Sequence, residues 1–188
     1  MCAGAAGTRG GSVVEWGLEQ NVRDARIAQI YEGANGIQAL DLTGRKTVRA
    51  NGELLQVLLG DMEAFIASQQ EVAGMQTYLP ILADCKKRLE DVTATVIANA
   101  AENPDEIGAA SYAYMELMGL SLYCFMWQRI LAAALAAREA GDSDTDFIAG
   151  LISTGEFFFS RMLPRADSLV QEIRAGSASL MAMRAEQF

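Results

Sequence analysis

Glu32 is the residue best placed to do chemistry. It stands in the run Arg23-Asp24-Ala25-Arg26-Ile27-Ala28-Gln29-Ile30-Tyr31-Glu32-Gly33-Ala34-Asn35-Gly36-Ile37-Gln38, where polar, glycine and apolar residues combine in a chemically specific way. A carboxylate held in place with a raised pKa is what proton abstraction from carbon requires. Near a helix C-terminus the carboxylate feels the negative end of the helix, and burial raises its pKa further. The N-terminus of a following helix pulls the other way, so residue types alone leave the sign of the shift open. A solvated acid at a turn is the plainer reading of the same residues.

Two short helices must hold that residue. Leu18, Val22 and Ala25 recur at helical spacing, and Ile27 and Ile30 widen the stripe, which predicts an amphipathic helix over 18–30. Gly33 can take the positive φ that ends such a helix. Asn35 then reads as the N-cap of the next helix, with Gln38 three residues later completing a capping box. Glu32 is thereby expected in a tight corner with a helix on each side.

From Asn51 onward the pattern is helix after helix. Leu55, Leu58, Met62, Phe65 and Ile66 predict one over about 51–72. Tyr78, Leu82, Cys85, Leu89, Val92 and Val96 step by four and three, the seam of a helix over about 79–100 packed nearly parallel or antiparallel to a neighbour. Asn103-Pro104-Asp105-Glu106 is a start signal, and the helix it opens runs to about Arg138, with Gly141 as the stop. Residues Tyr112 to Ala137 are apolar nearly all round, which predicts the buried centre of a bundle. Asp142, Ser143 and Asp144 cap a further helix that Pro164 breaks or kinks, and a last helix ends at Gly176. Phe157, Phe158 and Phe159 read as core and rim or as a partner-facing patch, and Met115, Met118 and Met126 as adaptable packing. No stretch alternates with period two. The fold class is all-α: an antiparallel bundle of four to five helices over 51–188, preceded by two shorter helices within 1–50.

Composition narrows the function classes. Of 188 residues 51% are hydrophobic, enough to bury a real core, and the net charge is −9 with no basic patch, which argues against nucleic-acid binding. Residues 1–50 hold six Lys/Arg against five Asp/Glu, so the acidity lies in the remainder, with nine against nineteen. There is no histidine, which removes His-based triads and the common His-containing metal sites, and no metal site is expected. Cys2, Cys85 and Cys124 fit neither a disulfide framework nor a zinc pattern. Cys85 and Cys124 read as small core residues, and a reducing cytoplasm suits them. Residues 1–11 lack the charged start and apolar centre of a signal peptide. The run Leu117 to Trp127 is too short to span a bilayer, so a soluble chain is expected.

The run Val22-Arg23-Asp24-Ala25-Arg26-Ile27 through Ile30-Tyr31-Glu32-Gly33-Ala34-Asn35-Gly36-Ile37-Gln38-Ala39-Leu40-Asp41-Leu42 resembles the signature near the end of the catalytic domain of the acyl-CoA dehydrogenases: an Arg-Asp-Ala helix, Tyr-Glu-Gly, then a Thr-Asn-Gly-Ile-Gln-type helix. The resemblance implies FAD-dependent α,β-dehydrogenation of a fatty acyl-CoA thioester, with electrons passing on to electron-transfer flavoprotein, and a homo-oligomer. Matched residue to residue, it implies Glu32 as the general base, Gly33 against the thioester end of the substrate, and Ala34, Asn35 and Gly36 beside FAD. Thr is usual at position 34, so Ala34 lacks a hydroxyl. Gly10-Gly11 is the nearest counterpart of a glycine pair that approaches the flavin nucleotide in that family, with altered spacing.

The closing pattern, from Phe157-Phe158-Phe159 through Met162-Leu163-Pro164-Arg165 to Ile173-Arg174-Ala175-Gly176, is similar to the additional carboxy-terminal helical domain of long family members. The resemblance therefore divides the chain into the end of the catalytic helical domain, 1–50, and that extra bundle, 51–188. The family's flavin-binding barrel has no counterpart here, so the expectation is a fragment that binds FAD weakly and turns over nothing alone. Two alternatives stand beside it: a non-catalytic helical oligomerisation or interaction module, and a fragment of a related flavoprotein such as an acyl-CoA oxidase.

Overall fold

A computed structural model describes residues 19–30, 34–141 and 144–187, and among these residues every regular element is a helix. The chain divides into two compact units, residues 1–38 and 39–188. The first holds α1, Glu19–Ile30, and most of α2, Ala34–Leu40. The second starts at Ala39, and the stretch following α2 buries Thr43 and Thr47.

That stretch, Asp41–Val48, is a π-helix running on from α2. Its bonds span five residues: Arg49 N–H donates to the Gly44 carbonyl at 3.0 Å and Gly52 N–H to the Thr47 carbonyl at 2.9 Å. Asn51 and Gly52 then turn the chain with φ of 48° and 74°. Asparagine and glycine are the residues that tolerate the left-handed region.

Five α-helices carry most of the rest: α3, Glu53–Ser68; α4, Leu79–Glu102; α5, Asp105–Glu139; α6, Thr145–Phe157; and α7, Arg165–Ala175, with a second, five-residue π-helical stretch, Phe158–Met162, running on from α6. The stop for α3 falls at Ser68, earlier than the apolar pattern implies, and a turn of 3₁₀ helix at Met75–Thr77 completes the connection. Asn103 is extended and its side chain accepts from the Asp105 N–H at 3.1 Å, so it caps α5 with Pro104 behind it. At α6 the Asp144 carboxylate accepts from the Phe147 N–H. Gly141 and Gly176 follow α5 and α7 with positive φ.

Contacts between α4 and α5 fix their direction. Gln128 meets Tyr78, Cys124 meets Cys85, and Tyr114 meets Thr93, so numbering rises along one helix as it falls along the other. They form an antiparallel pair. Helix α5 also packs against α6, α7 and the π-helix, which makes it the axis of the bundle. Its most apolar 18-residue window is long and hydrophobic enough to cross a membrane by length and composition, and 44% of that window is buried inside the bundle. The apolar-all-round pattern proves only half a guide: Leu117, Leu131 and Cys124 are buried, but Tyr112, Leu122, Tyr123 and Met126 are exposed.

One core runs through α3, α4, α5 and α7, joined by Phe158. Cys85 and Cys124 sit in it. A hydrogen bond with Cys85, then burial, raises the Cys124 thiol, which is an un-ionised packing residue. Of the three phenylalanines, Phe158 is buried beside Trp127 with ring centroids 6.5 Å apart, whereas Phe157 is exposed.

Candidate functional site

Glu32 and Gly33, the expected base and its neighbour, lie outside the described residues. The structure does place Ala34, Asn35 and Gly36 together in the first turn of α2. The helix begins at Ala34, so Asn35 lies inside it and is not its cap, a shift of the size by which helix starts commonly wander. Ala34 is half-buried; Asn35, Gly36, Ile37 and Gln38 are exposed. A Cβ at Gly36 would meet nothing within 4 Å. Among the described residues no neighbour requires glycine there.

On α1, Arg23 pairs with Glu19, and the Gln20 side-chain amide donates to the Asp24 carboxylate at 2.7 Å. The expected apolar stripe is open where it is described: Val22 is half-buried, Ala25 is exposed and Ile27 is 54% exposed. These side chains are available to a surface beyond the described residues.

At the other end of α2 lies an arrangement that residue spacing missed. The Tyr114 hydroxyl shares a 2.8 Å hydrogen bond with the Thr93 hydroxyl, which also reaches the Leu89 carbonyl at 2.7 Å. Thr47 of the π-helix bonds to the same tyrosine hydroxyl and donates to the Leu42 carbonyl at 2.9 Å. Burial pushes the Tyr114 phenol up, so it stays protonated and serves as a buried bridge between the π-helix, α4 and α5. Above it, Asp41 takes Arg45 at 2.7 Å and Lys46 at 2.9 Å, and the hydrogen bond from Lys46 holds its carboxyl below the usual range. The sequence signal was thin: Thr43, Thr47 and Thr93 look like ordinary surface polar residues until burial is known.

A cleft of 540 Å³ is lined in part by charges that pair with each other, Lys87 with Asp91 at 2.7 Å and Arg88 with Asp167 at 3.0 Å. A second, apolar cleft of 470 Å³ includes Leu40, Ile107, Leu180 and Met181. It lies beside a polar latch in which Glu106 accepts from the Ser177 N–H at 2.9 Å and the Ser177 hydroxyl at 2.6 Å. Those bonds hold the Glu106 carboxyl below its ordinary range. Among the described residues no group of three or more His, Cys, Asp or Glu is arranged to hold a metal ion.

Residues 58–184, the stretch from α3 to the end of the bundle, match the family described as acetyl-CoA dehydrogenase C-terminal-like. The chain belongs to this acyl-CoA dehydrogenase family. It is 28% identical over 184 residues, 93% of its length, to the broad-specificity linear acyl-CoA dehydrogenase FadE5 of Mycobacterium tuberculosis. It is 31% identical over 161 residues to a 3-methylmercaptopropionyl-CoA dehydrogenase of Ruegeria pomeroyi, and 24% identical over 182 residues to a butyryl-CoA dehydrogenase of Syntrophomonas wolfei. These matches take up 81% and 95% of the chain. The chain spans 30%, 26% and 30% of the length of these three curated relatives.

Proposed function

We propose that this chain is the carboxy-terminal part of an FAD-dependent acyl-CoA dehydrogenase, in which Glu32 removes the α-proton of an acyl-CoA thioester. The observation that carries the reading is the contiguous Tyr31-Glu32-Gly33-Ala34-Asn35-Gly36 signature, set ahead of a bundle that matches the family. The α-proton of a thioester is weakly acidic, so the carboxylate needs a desolvated setting and a partner that stabilises the enolate.

Residues 34–36 fit a flavin contact, since Asn35 and Gly36 are exposed and the space over Gly36 is open. Bound FAD would accept the β-hydride. Ala34 offers a methyl group and backbone to that ligand and no hydroxyl. Gly33 gives the thioester close access to the backbone. Electron-transfer flavoprotein as acceptor, and a cytoplasmic location suited to free Cys85 and Cys124, complete the proposal. By itself the chain is expected to turn over nothing.

The test uses the longer protein carrying the flavin-binding portion. Glu32→Gln should abolish acyl-CoA-dependent reduction of an artificial electron acceptor while the bound flavin keeps its visible absorption. Turnover unchanged in that variant would overturn the assignment. A non-catalytic association module is the second reading, favoured by the exposed apolar side chains along α5, and it predicts that Glu32→Gln changes nothing. A flavoprotein oxidase would show oxygen consumption without the acceptor.

A further inference from the structure

We propose that Cys85 and Cys124 form a redox-active dithiol, in which a small hydroperoxide entering beside α7 oxidises Cys85 and Cys124 then closes a disulfide between α4 and α5. Both thiols are free, and they hydrogen-bond to one another across the antiparallel helix pair. Two sulfurs in such contact are placed for thiol–disulfide chemistry, which a lone core cysteine is not.

A route from outside reaches one of them. A cleft of 210 Å³ lies between α4 and the start of α7, and Cys85 is one of its lining residues. Asp84, Arg88 and Asp167 give it a charged wall, with Phe159 and Leu163 opposite in character. Cys124 is fully buried and does not line the cleft, so the two thiols are unequal. Cys85 is only 2% exposed, and a space of this size holds a few molecules of about 30 Å³, the share of one water. A hydroperoxide fits that entrance; a tripeptide disulfide does not.

Electrostatics assign the roles. The hydrogen bond with Cys124 lowers the Cys85 thiol, and Ser121 and the Arg88 charge add to that effect against burial and Asp84. Arg88 lies one turn along α4 and is held by Asp167 at 3.0 Å. The Cys124 thiol moves the opposite way and keeps its proton. Cys85 is therefore the attacked residue and Cys124 the resolving one. In the first step the Cys85 thiolate attacks the peroxide: an S–O bond forms, the O–O bond breaks, and the departing hydroxide or alkoxide takes up a proton. Cys85 is oxidised to the sulfenic acid and the peroxide is reduced to water or an alcohol. In the second step the Cys124 sulfur attacks the Cys85 sulfur, the S–O bond breaks, and the hydroxyl leaves with the Cys124 proton as water. The site is independent of the chemistry assigned to Glu32, and the two proposals fail separately.

Thiol trapping in the purified, reduced chain tests it, on a Cys2→Ser background that leaves Cys85 and Cys124 as the remaining cysteines. After hydrogen peroxide and then alkylation in denaturant, the chain should have lost two hydrogens and carry no alkyl group. Its peptide map should show Cys85 linked to Cys124, and dithiothreitol should free both. Cys124→Ala should stop at the sulfenic acid, trapped by dimedone on Cys85. Cys85→Ala should slow oxidation of Cys124 by about tenfold or more, because a buried thiol stays protonated and each pKa unit withholds a factor of ten in thiolate. The rate for the chain with both cysteines should not change with urea below the unfolding transition. The proposal is overturned if both thiols stay alkylatable at peroxide levels that oxidise free cysteine, or if the rate follows the unfolded fraction. A disulfide that joins two chains overturns it as well, and so does undiminished oxidation of Cys124 in the Cys85→Ala chain.

Discussion

The described parts of 19–38 and 39–187 are both helical, yet they use their apolar side chains in opposite ways. In the first region the chemically distinctive residues cluster and the apolar positions stay open, as at Ile27 and Ile37. In the second, Leu82, Leu89, Leu117 and Leu131 are fully enclosed and no catalytic constellation forms. A twelve-residue helix such as α1 is marginal on its own propensity and depends on tertiary packing, whereas α4 and α5 supply that packing to each other. The difference teaches where to look in this chain: packing uses the apolar residues of the bundle, and the residues proposed to meet a ligand sit at the exposed first turn of α2.

The comparison breaks most sharply at Leu117. Leu117→Ala should destabilise the bundle by about 3 kcal/mol in urea unfolding, while Ile27→Ala should stay within about 0.5 kcal/mol; similar losses for both would erase the distinction. Gly155 comes next. Its missing Cβ would lie 3.1 Å from the Leu131 side chain, so Gly155→Val should cost about 2 kcal/mol by forcing α6 off α5. Removing the buried hydroxyl with Tyr114→Phe should cost about 1 kcal/mol, because Thr93 retains its bond to Leu89. Amide hydrogen exchange should then quicken over 41–48 more than over α4.

The smallest effect is a pH dependence at the Ser177 latch. Glu106 is held below its ordinary pKa, so its contribution is complete above the normal glutamate range and is lost as pH falls through the depressed value. Thermal melts should show a shallow acid limb that Glu106→Gln removes; a limb that survives in that variant would assign it to other carboxylates.

Much of the bundle was legible because its signals are local. Asn103-Pro104 announced α5, Gly141 and Gly176 marked stops, and the steps from Leu82 to Val96 traced the buried seam of α4. The π-helix was not legible: a five-residue hydrogen-bond step leaves no residue-type period, and Thr43 and Thr47 disclose their burial only through contacts distant in sequence. Nor could an all-apolar α5 reveal which side would be open, since that depends on where α4, α6 and α7 attach. At the candidate site, the grouping of Ala34, Asn35 and Gly36 in one turn followed from their adjacency, while Asn35 as a cap did not survive a helix that starts two residues sooner.

The π-helix has a consequence for how this chain tolerates length changes. A single residue removed between Asp41 and Val48 would let the wide coil close to ordinary α geometry, because its five-residue hydrogen-bond step holds more residues per turn than an α-helix does. The flanking register is then largely kept, and Ala39 can stay enclosed. The wide coil is a reserve of slack, and a one-residue loss there draws on it before it disturbs the bundle.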